Sequence, residues 1–255
     1  MTSLTKKQIN WLDKCTTING IKGSWTLNSK TGLVDVEGSF DCRGQRLKGF
    51  NQGVKFGVVK KHFWCDNNRL TSLVGAPQEV GFSFDCENNL LTSLVGAPLK
   101  VGESFDCDNN RLTSLEGAPQ SVGWDFYCSN NRLTSLVGAP LKVGESFYCR
   151  NNHLTSLVGA PLKVGESFDC RNNHLTSLVG APQEVGESFD CDNNPVSWAT
   201  LYAIFSKMKE GRSFVIAAAS LRNEMSRKDW KLIAKHIPEA IRPGVNMLAR
   251  FGVFK

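Results

Sequence analysis

Little in this chain points to chemistry. Its 255 residues hold four histidines, three tyrosines and four methionines. It has no phosphate-cradling glycine loop, no H-E-x-x-H zinc signature and no nucleophile elbow. These absences argue against an enzyme and leave no cofactor or metal to expect. No stretch approaches the 18 apolar residues of a membrane span, and the opening residues lack the charged-then-apolar pattern of a secretion signal. Neither a membrane partner nor export is therefore expected. The nine cysteines are an odd number, which argues against a full disulfide framework and for a cytoplasmic home.

Repetition is what the chain has in abundance. Cys65, Cys86, Cys107, Cys128, Cys149, Cys170 and Cys191 each follow the last by 21 residues. From Phe84 the text reads FDCENNLLTSLVGAPLKVGES, and nearly the same words return from Phe105, Phe126, Phe147 and Phe168. A fixed period near 20 is the signature of a solenoid, in which each turn packs only on its neighbours. Phe84 and Cys86, two apart, face one side of a strand, and Asp85 and Glu87 face the other. The second Asn of each pair, such as Asn89, falls where the chain turns inward, with an amide able to bond its own turn and the next. Leu91 and Leu94 complete the core layer. The GAP tripeptide and the later Val-Gly predict a return path of turns and extended chain, without helix. Cysteines stacked in a line do not converge on a metal, and their parallel Cβ directions suit disulfides poorly. They read as small buried apolar residues.

The ends depart from the period. Thr5 and Gln8 form a capping box for a helix running to about Cys15. Trp25–Leu27, the turn 28–32 and 33–36 read as strand, turn, strand. Phe40-x-Cys42-x-x-Gln45-x-Leu47 is a degenerate first repeat, 23 residues before the next cysteine, which brings the strand count to about eight. After Pro195 the pattern changes to helical runs beginning at Ser197, near Phe214 and at Ser226. The expected organisation is an N-terminal cap of helix and β-hairpin over 1–38, repeats over 39–194 and a helical C-terminal cap over 195–255. Charge follows the same division. Residues 1–65 carry 11 Lys and Arg against 4 Asp and Glu, residues 66–194 carry 8 against 16, and residues 195–255 carry 11 against 4.

Core positions hardly vary between repeats, whereas the solvent-facing columns do. Between Phe and Cys the column reads Trp64, Asp85, Asp106, Tyr127, Tyr148, Asp169, Asp190; after Cys it reads Asp66, Glu87, Asp108, Ser129, Arg150, Arg171, Asp192. Together they outline an acidic area at Asp85, Glu87, Asp106 and Asp108. Beside it lies an aromatic, mixed-charge area at Tyr127, Tyr148, Arg150, Arg171, His153 and His174, joined by Trp124. Tyr, Trp and Arg dominate interface energetics, so this concave face is the expected partner-binding surface. His153 and His174 raise a metal or acid–base reading near Asp169, but no third converging ligand accompanies them. The basic C-terminal segment, with Arg222, Arg227, Lys228, Lys231 and Lys235, offers an alternative nucleic-acid-binding surface.

The segment N-x-L-T-S-L-x-G-A-P-x-x-V-G resembles the frame of bacterial effector leucine-rich repeats, one residue longer here. The layout as a whole is similar to uncharacterised leucine-rich-repeat proteins of large tailed bacteriophages. The stretches that carry this are W-T-L-N…G-L-V-D-V-E-G, V-K-F-G-V-V, the repeats themselves and the closing M-L-A-R-F-G-V-F. The resemblance implies a repeat solenoid built on a parallel sheet and used as a binding scaffold. The implied partner is a host protein, of a defence or regulatory system, met in the cytoplasm of an infected bacterium. Some of the bacterial effectors append a ubiquitin-ligase domain with a catalytic Cys. No cysteine follows Cys191, so that activity is expected to be absent.

Overall fold

The structure is a computed structural model that describes residues 3–50 and 53–196. Each repeat contributes two short strands, and each set stacks into its own parallel sheet. The front sheet takes Ser39–Asp41, Phe63–Trp64, Phe84–Asp85, Phe105–Asp106, Phe126–Tyr127, Phe147–Tyr148, Phe168–Asp169 and Phe189–Asp190 in chain order. These are the eight repeat strands expected. The back sheet takes Val34–Val36, Phe56–Val59, Glu79–Val80, Lys100–Val101, Ser121–Val122, Lys142–Val143, Lys163–Val164 and Glu184–Val185.

The back sheet refines the expected return path of turns and extended chain, because its extended segments pair with one another from turn to turn. In most of these strands the Val is buried and the residue before it exposed, as in Lys100–Val101. The glycine that follows lets successive turns close up. A Cβ on Gly102 would stand 1.9 Å from the Gly81 carbonyl oxygen. With only hydrogen there, Gly102 N donates to Val80 O at 3.0 Å, and the same bond recurs up the stack. The return segment is thus hydrogen-bonded sheet, which satisfies backbone that turns alone would leave to water. Among the described residues the only helix is Lys6–Cys15, so the non-helical back is as expected.

Between the sheets runs the core. Phe40, Phe63, Phe84, Phe105, Phe126, Phe147, Phe168 and Phe189 are fully buried. Their rings stack from turn to turn, for example 5.3 Å between Phe63 and Phe84 and 5.5 Å between Phe84 and Phe105. In-register pairing, Phe84 with Phe105 and Asp85 with Asp106, makes every column a straight row. The cysteines are buried thiols, and most of the repeat ones donate to the next turn, as Cys86 Sγ does to Asp106 O at 3.2 Å. Burial pushes these thiols well above the usual range.

The Asn row closes each turn. Asn89 Nδ2 donates to Cys65 O, Cys86 O and Glu87 O, each at 3.1 Å, while its Oδ1 accepts from Leu70 N at 2.8 Å. One side chain therefore ties two turns together. The Asn before it holds the left-handed conformation, φ 51° at Asn88 and 56° at Asn151, which Asn tolerates better than other side chains. In the degenerate repeat Gly44 takes that position with φ 64°. Gln45, standing for the second Asn, turns to the N-terminal end and accepts from Trp11 Nε1 at 3.1 Å.

That end is closed by the helix and two antiparallel additions. Thr5 and Gln8 form the capping box, and Leu12 and Cys15 are buried. Trp11 packs edge-on against Phe40 with centroids 5.1 Å apart. Trp25–Leu27 pairs antiparallel with Val34–Val36, as the strand–turn–strand reading predicts. A second hairpin, Thr16–Ile18 with Ile21–Lys22, was not foreseen and covers the front-sheet edge. Its signal was present in Asn19-Gly20, where φ is 50° and 81°, the residue pair that two-residue hairpin turns demand. Each addition replaces a repeat edge with a short antiparallel edge strand, Ile21–Lys22 or Trp25–Leu27, and short edges offer little template for strand addition. The helical runs expected after Pro195 fall at 197–255, outside the described residues.

Candidate functional site

The outer face of the front sheet is a grid. Along each strand, Ser83, Asp85 and Glu87 or their equivalents point outward; across strands, register partners stand side by side. The middle row reads Asp41, Trp64, Asp85, Asp106, Tyr127, Tyr148, Asp169, Asp190 in space as in sequence. The acidic area at Asp85, Glu87, Asp106 and Asp108 and the aromatic area at Tyr127 and Tyr148 are therefore contiguous.

Tyr127 and Tyr148 stack with centroids 4.9 Å apart and planes at 6°. Tyr127 Oη donates to Asp125 Oδ2 at 3.0 Å, which fixes the pair from one side. Burial, then the Asp125 carboxylate, raises the Tyr127 phenol above its ordinary value. Both tyrosines are half-buried. Arg150 is exposed just past the end of the Phe147–Tyr148 strand.

Arg171 is in a different condition from Arg150. It forms a two-bond pair with Asp169, Nη2–Oδ2 2.7 Å and Nε–Oδ1 3.0 Å, and reaches Asp190 Oδ2 at 3.2 Å. Asp169 is itself buried. This arginine neutralises the two aspartates beside it, so it is already committed within the chain. Trp124 is 46% exposed, yet it stands in the bend before its strand, in the column of Phe82 and Glu103 and outside the tyrosine row. His153 and His174 stack at 5.6 Å beyond the Asn turn, both exposed. They form a separate margin of the face. Arg222, Arg227, Lys228, Lys231 and Lys235 lie outside the described residues.

The acidic area is electrostatically tense. Burial, followed by the like charge of Asp108, raises Asp106 to about 8. Burial likewise raises Asp85 to about 7 and Asp108 to about 6. Hydrogen bonds from Glu87 N to Asp85, Asp108 N to Asp106 and Ser129 N to Asp108 act in the opposite direction and hold the carboxylates in place.

At the N-terminal side the structure adds a second aromatic group. His62 stacks on Trp64 at 4.7 Å, Phe82 meets His62 edge-on at 5.1 Å, and the Arg43 guanidinium lies 4.9 Å from the Trp64 ring centre. Column comparison showed Trp64 alone, because His62 and Phe82 belong to offset rows. The acidic area thus lies between two aromatic groups, Trp64 on one side and Tyr127–Tyr148 on the other.

The fold and this face define a repeat solenoid of the leucine-rich-repeat type with a graded outer sheet face. Neither a protein-family model nor a curated protein matches the sequence. Among solved structures, YopM from Yersinia enterocolitica is similar over 55% of this chain and 32% of its own, at 23% identity and a TM-score of 0.44. The match spans about a third of that protein's length. No helix among the described residues is long and apolar enough to cross a membrane.

Proposed function

We propose that the chain is a non-enzymatic protein-binding module that captures its partner on the outer face of the front sheet. The observation that carries this reading is the Tyr127–Tyr148 stack, held rigid by register and by Asp125, beside the exposed Arg150 and the carboxylates of Asp106 and Asp108. Rigid aromatic rings flanked by charge supply contact area at small entropic cost. On the resemblance to phage repeat proteins, the chain is phage-encoded and its partner is a host protein of a defence or regulatory system in the bacterial cytoplasm. The test is capture of host proteins from lysate, with and without nuclease, by the parent chain and by the Tyr127→Ala, Tyr148→Ala, Arg150→Ala triple variant. Loss of one stoichiometric partner in a variant that still folds supports the reading; unchanged capture removes it.

A second reading, an acidic mimic of nucleic acid, has the row Asp85, Glu87, Asp106 and Asp108 in its favour. The raised values of Asp85 and Asp106 weigh against it, because a phosphate mimic needs charges that persist at neutral pH. Charge reversal at these four positions decides between them: a mimic loses its partner, and the tyrosine-centred interface largely keeps it. Binding of nucleic acid through the basic C-terminal segment is the remaining alternative, and nuclease sensitivity of the captured material separates it.

A further inference from the structure

The carboxylates nearest Trp64 make a cluster with a defect in it. Asp66 follows Cys65, and Asp85 and Glu87 flank Cys86 one turn on, with Trp64 and Asp85 as register partners. One oxygen from each of the three carboxylates lies within 4.8 Å of the other two. An acidic cluster alone is ordinary on a solvated sheet. Asp66, however, is not solvated: its side chain is 8% exposed. Its Oδ2 accepts from Asn67 Nδ2 at 2.6 Å, while its Oδ1 is buried with no hydrogen-bond partner. A buried carboxylate oxygen without a partner is costly, and native structures supply one.

The nearest cation does not fill the role. Arg43 Nε is 4.0 Å from Asp66 Oδ1, beyond hydrogen-bond range, and the same guanidinium is bonded twice to Asp41, at 3.0 and 2.7 Å. Three carboxyl groups therefore share one arginine that is already paired. A partner that also offsets the clustered charge is a cation small enough to enter between side chains on adjacent strands and suited to an all-oxygen donor set. Carboxylate oxygens favour hard divalent ions over the softer transition metals. Calcium accepts a flexible, irregular oxygen shell, whereas magnesium demands a near-ideal octahedron and keeps most of its water, so three carboxylates fixed by two packed turns suit calcium better.

We propose that Asp66, Asp85 and Glu87 form a divalent-cation site of calcium type on the outer face of the front sheet. Two adjacent turns supply the ligands, so the ion cross-links them, and water completes the shell. This proposal stands apart from the partner-binding reading and does not depend on it. Arg43 is the built-in competitor, its charge held close to the position the ion takes.

The test uses terbium as a luminescent calcium surrogate on the full chain, because Trp64 is beside the site and can sensitise it. Saturable tryptophan-sensitised emission, displaced by calcium, is expected. Asp66→Asn and Glu87→Gln should each weaken the apparent affinity at least tenfold, and Glu116→Gln, an exposed carboxylate elsewhere, should not change it. Arg43→Gln should tighten binding severalfold, a response that a purely structural role for Asp66 would not produce. Far-UV circular dichroism confirms that each variant is folded; should Asp66→Asn fail to fold, the half-buried Glu87 and the Arg43 variant still decide. No saturable emission at millimolar ion, or emission indifferent to both Glu87→Gln and Arg43→Gln, overturns the site.

Discussion

Tyr127 and Tyr148 lie ring over ring because their Cα atoms are register partners on adjacent parallel strands. Their spacing of 4.9 Å is the strand spacing itself. Neither ring has to reorganise to meet a partner. Each ring is held by backbone pairing below and by its neighbour alongside. Truncation should therefore act on binding far more than on folding. Tyr148→Ala is expected to lower partner affinity by roughly 30-fold or more, the effect of losing a hot spot of about 2 kcal/mol. The loss of stability should stay near the 0.5–1.5 kcal/mol of one aromatic pair plus partial burial, about 1–2 kcal/mol in all. Titration calorimetry with the captured partner and urea unfolding check the two halves.

The Asn row makes an opposite prediction. Asn110 Nδ2 donates to Cys86 O, Cys107 O and Asp108 O, and its Oδ1 accepts from Leu91 N. Asn110→Leu removes all four bonds while leaving buried carbonyls and an amide behind. With about 1–3 kcal/mol for each buried group left unpaired, the cost should exceed about 3 kcal/mol. Asn109, its exposed neighbour with φ 54°, should tolerate Gly and lose about 1–2 kcal/mol on replacement by Val. Denaturant midpoints of the three variants rank the two asparagines.

At Gly123 the neighbouring turn sets the limit. A Cβ there would stand 1.9 Å from the Gly102 carbonyl oxygen, whereas one on Gly20 meets nothing within 4 Å and bears only the cost of φ 81°. Gly123→Ala should push two turns apart and lower the melting temperature sharply. Gly20→Ala should cost about 1 kcal/mol. Thermal melting of both, side by side, separates steric exclusion from backbone strain.

The carboxylates of the front face should make stability fall as pH rises. Asp106 titrates at about 8 in the folded chain against an ordinary value of 3.8, chiefly through burial. Between those limits the folded state binds the proton more tightly than the unfolded state does. Its contribution is therefore present in full below pH 4 and is lost progressively as pH climbs towards 8. Asp85, raised to about 7, acts in the same sense. Melting temperatures taken in chelator should decline from pH 5 to pH 8, and Asp106→Asn should flatten the slope. A parent chain whose stability rises over that range contradicts the assignment.

The nine thiols offer a probe of the whole stack. Cys65, Cys86, Cys107, Cys128, Cys149 and Cys170 are fully buried and held protonated by burial. A thiol reagent should react with them only when the solenoid opens. Modification rates that track the unfolding equilibrium across a urea series are expected. Fast labelling in native buffer would mean that the turns separate individually.

The 21-residue period already carried the architecture, because in a solenoid the same residue in each turn meets its own copy in the next. That is why the buried Phe, Cys and Leu rows, the Asn amides and the eight front strands could all be read along the chain. The capping box at Thr5 and Gln8 was legible for a similar reason: its bonds span three residues. Contacts that cross between rows were not. The back sheet depends on how closely Gly81, Gly102 and Gly123 approach one another, a distance that no local pattern states. Arg171 looked like an interface residue by type, and only packing showed it bound to Asp169 and Asp190. His62, Trp64 and Phe82 come together from offset rows after a 23-residue spacing. The burial of Asp66, which leaves Oδ1 without a partner beside Asp85 and Glu87, is likewise a property of the packed turns. Repetition specifies what stacks on itself, whereas burial and charge between unlike neighbours emerge only when the turns are assembled.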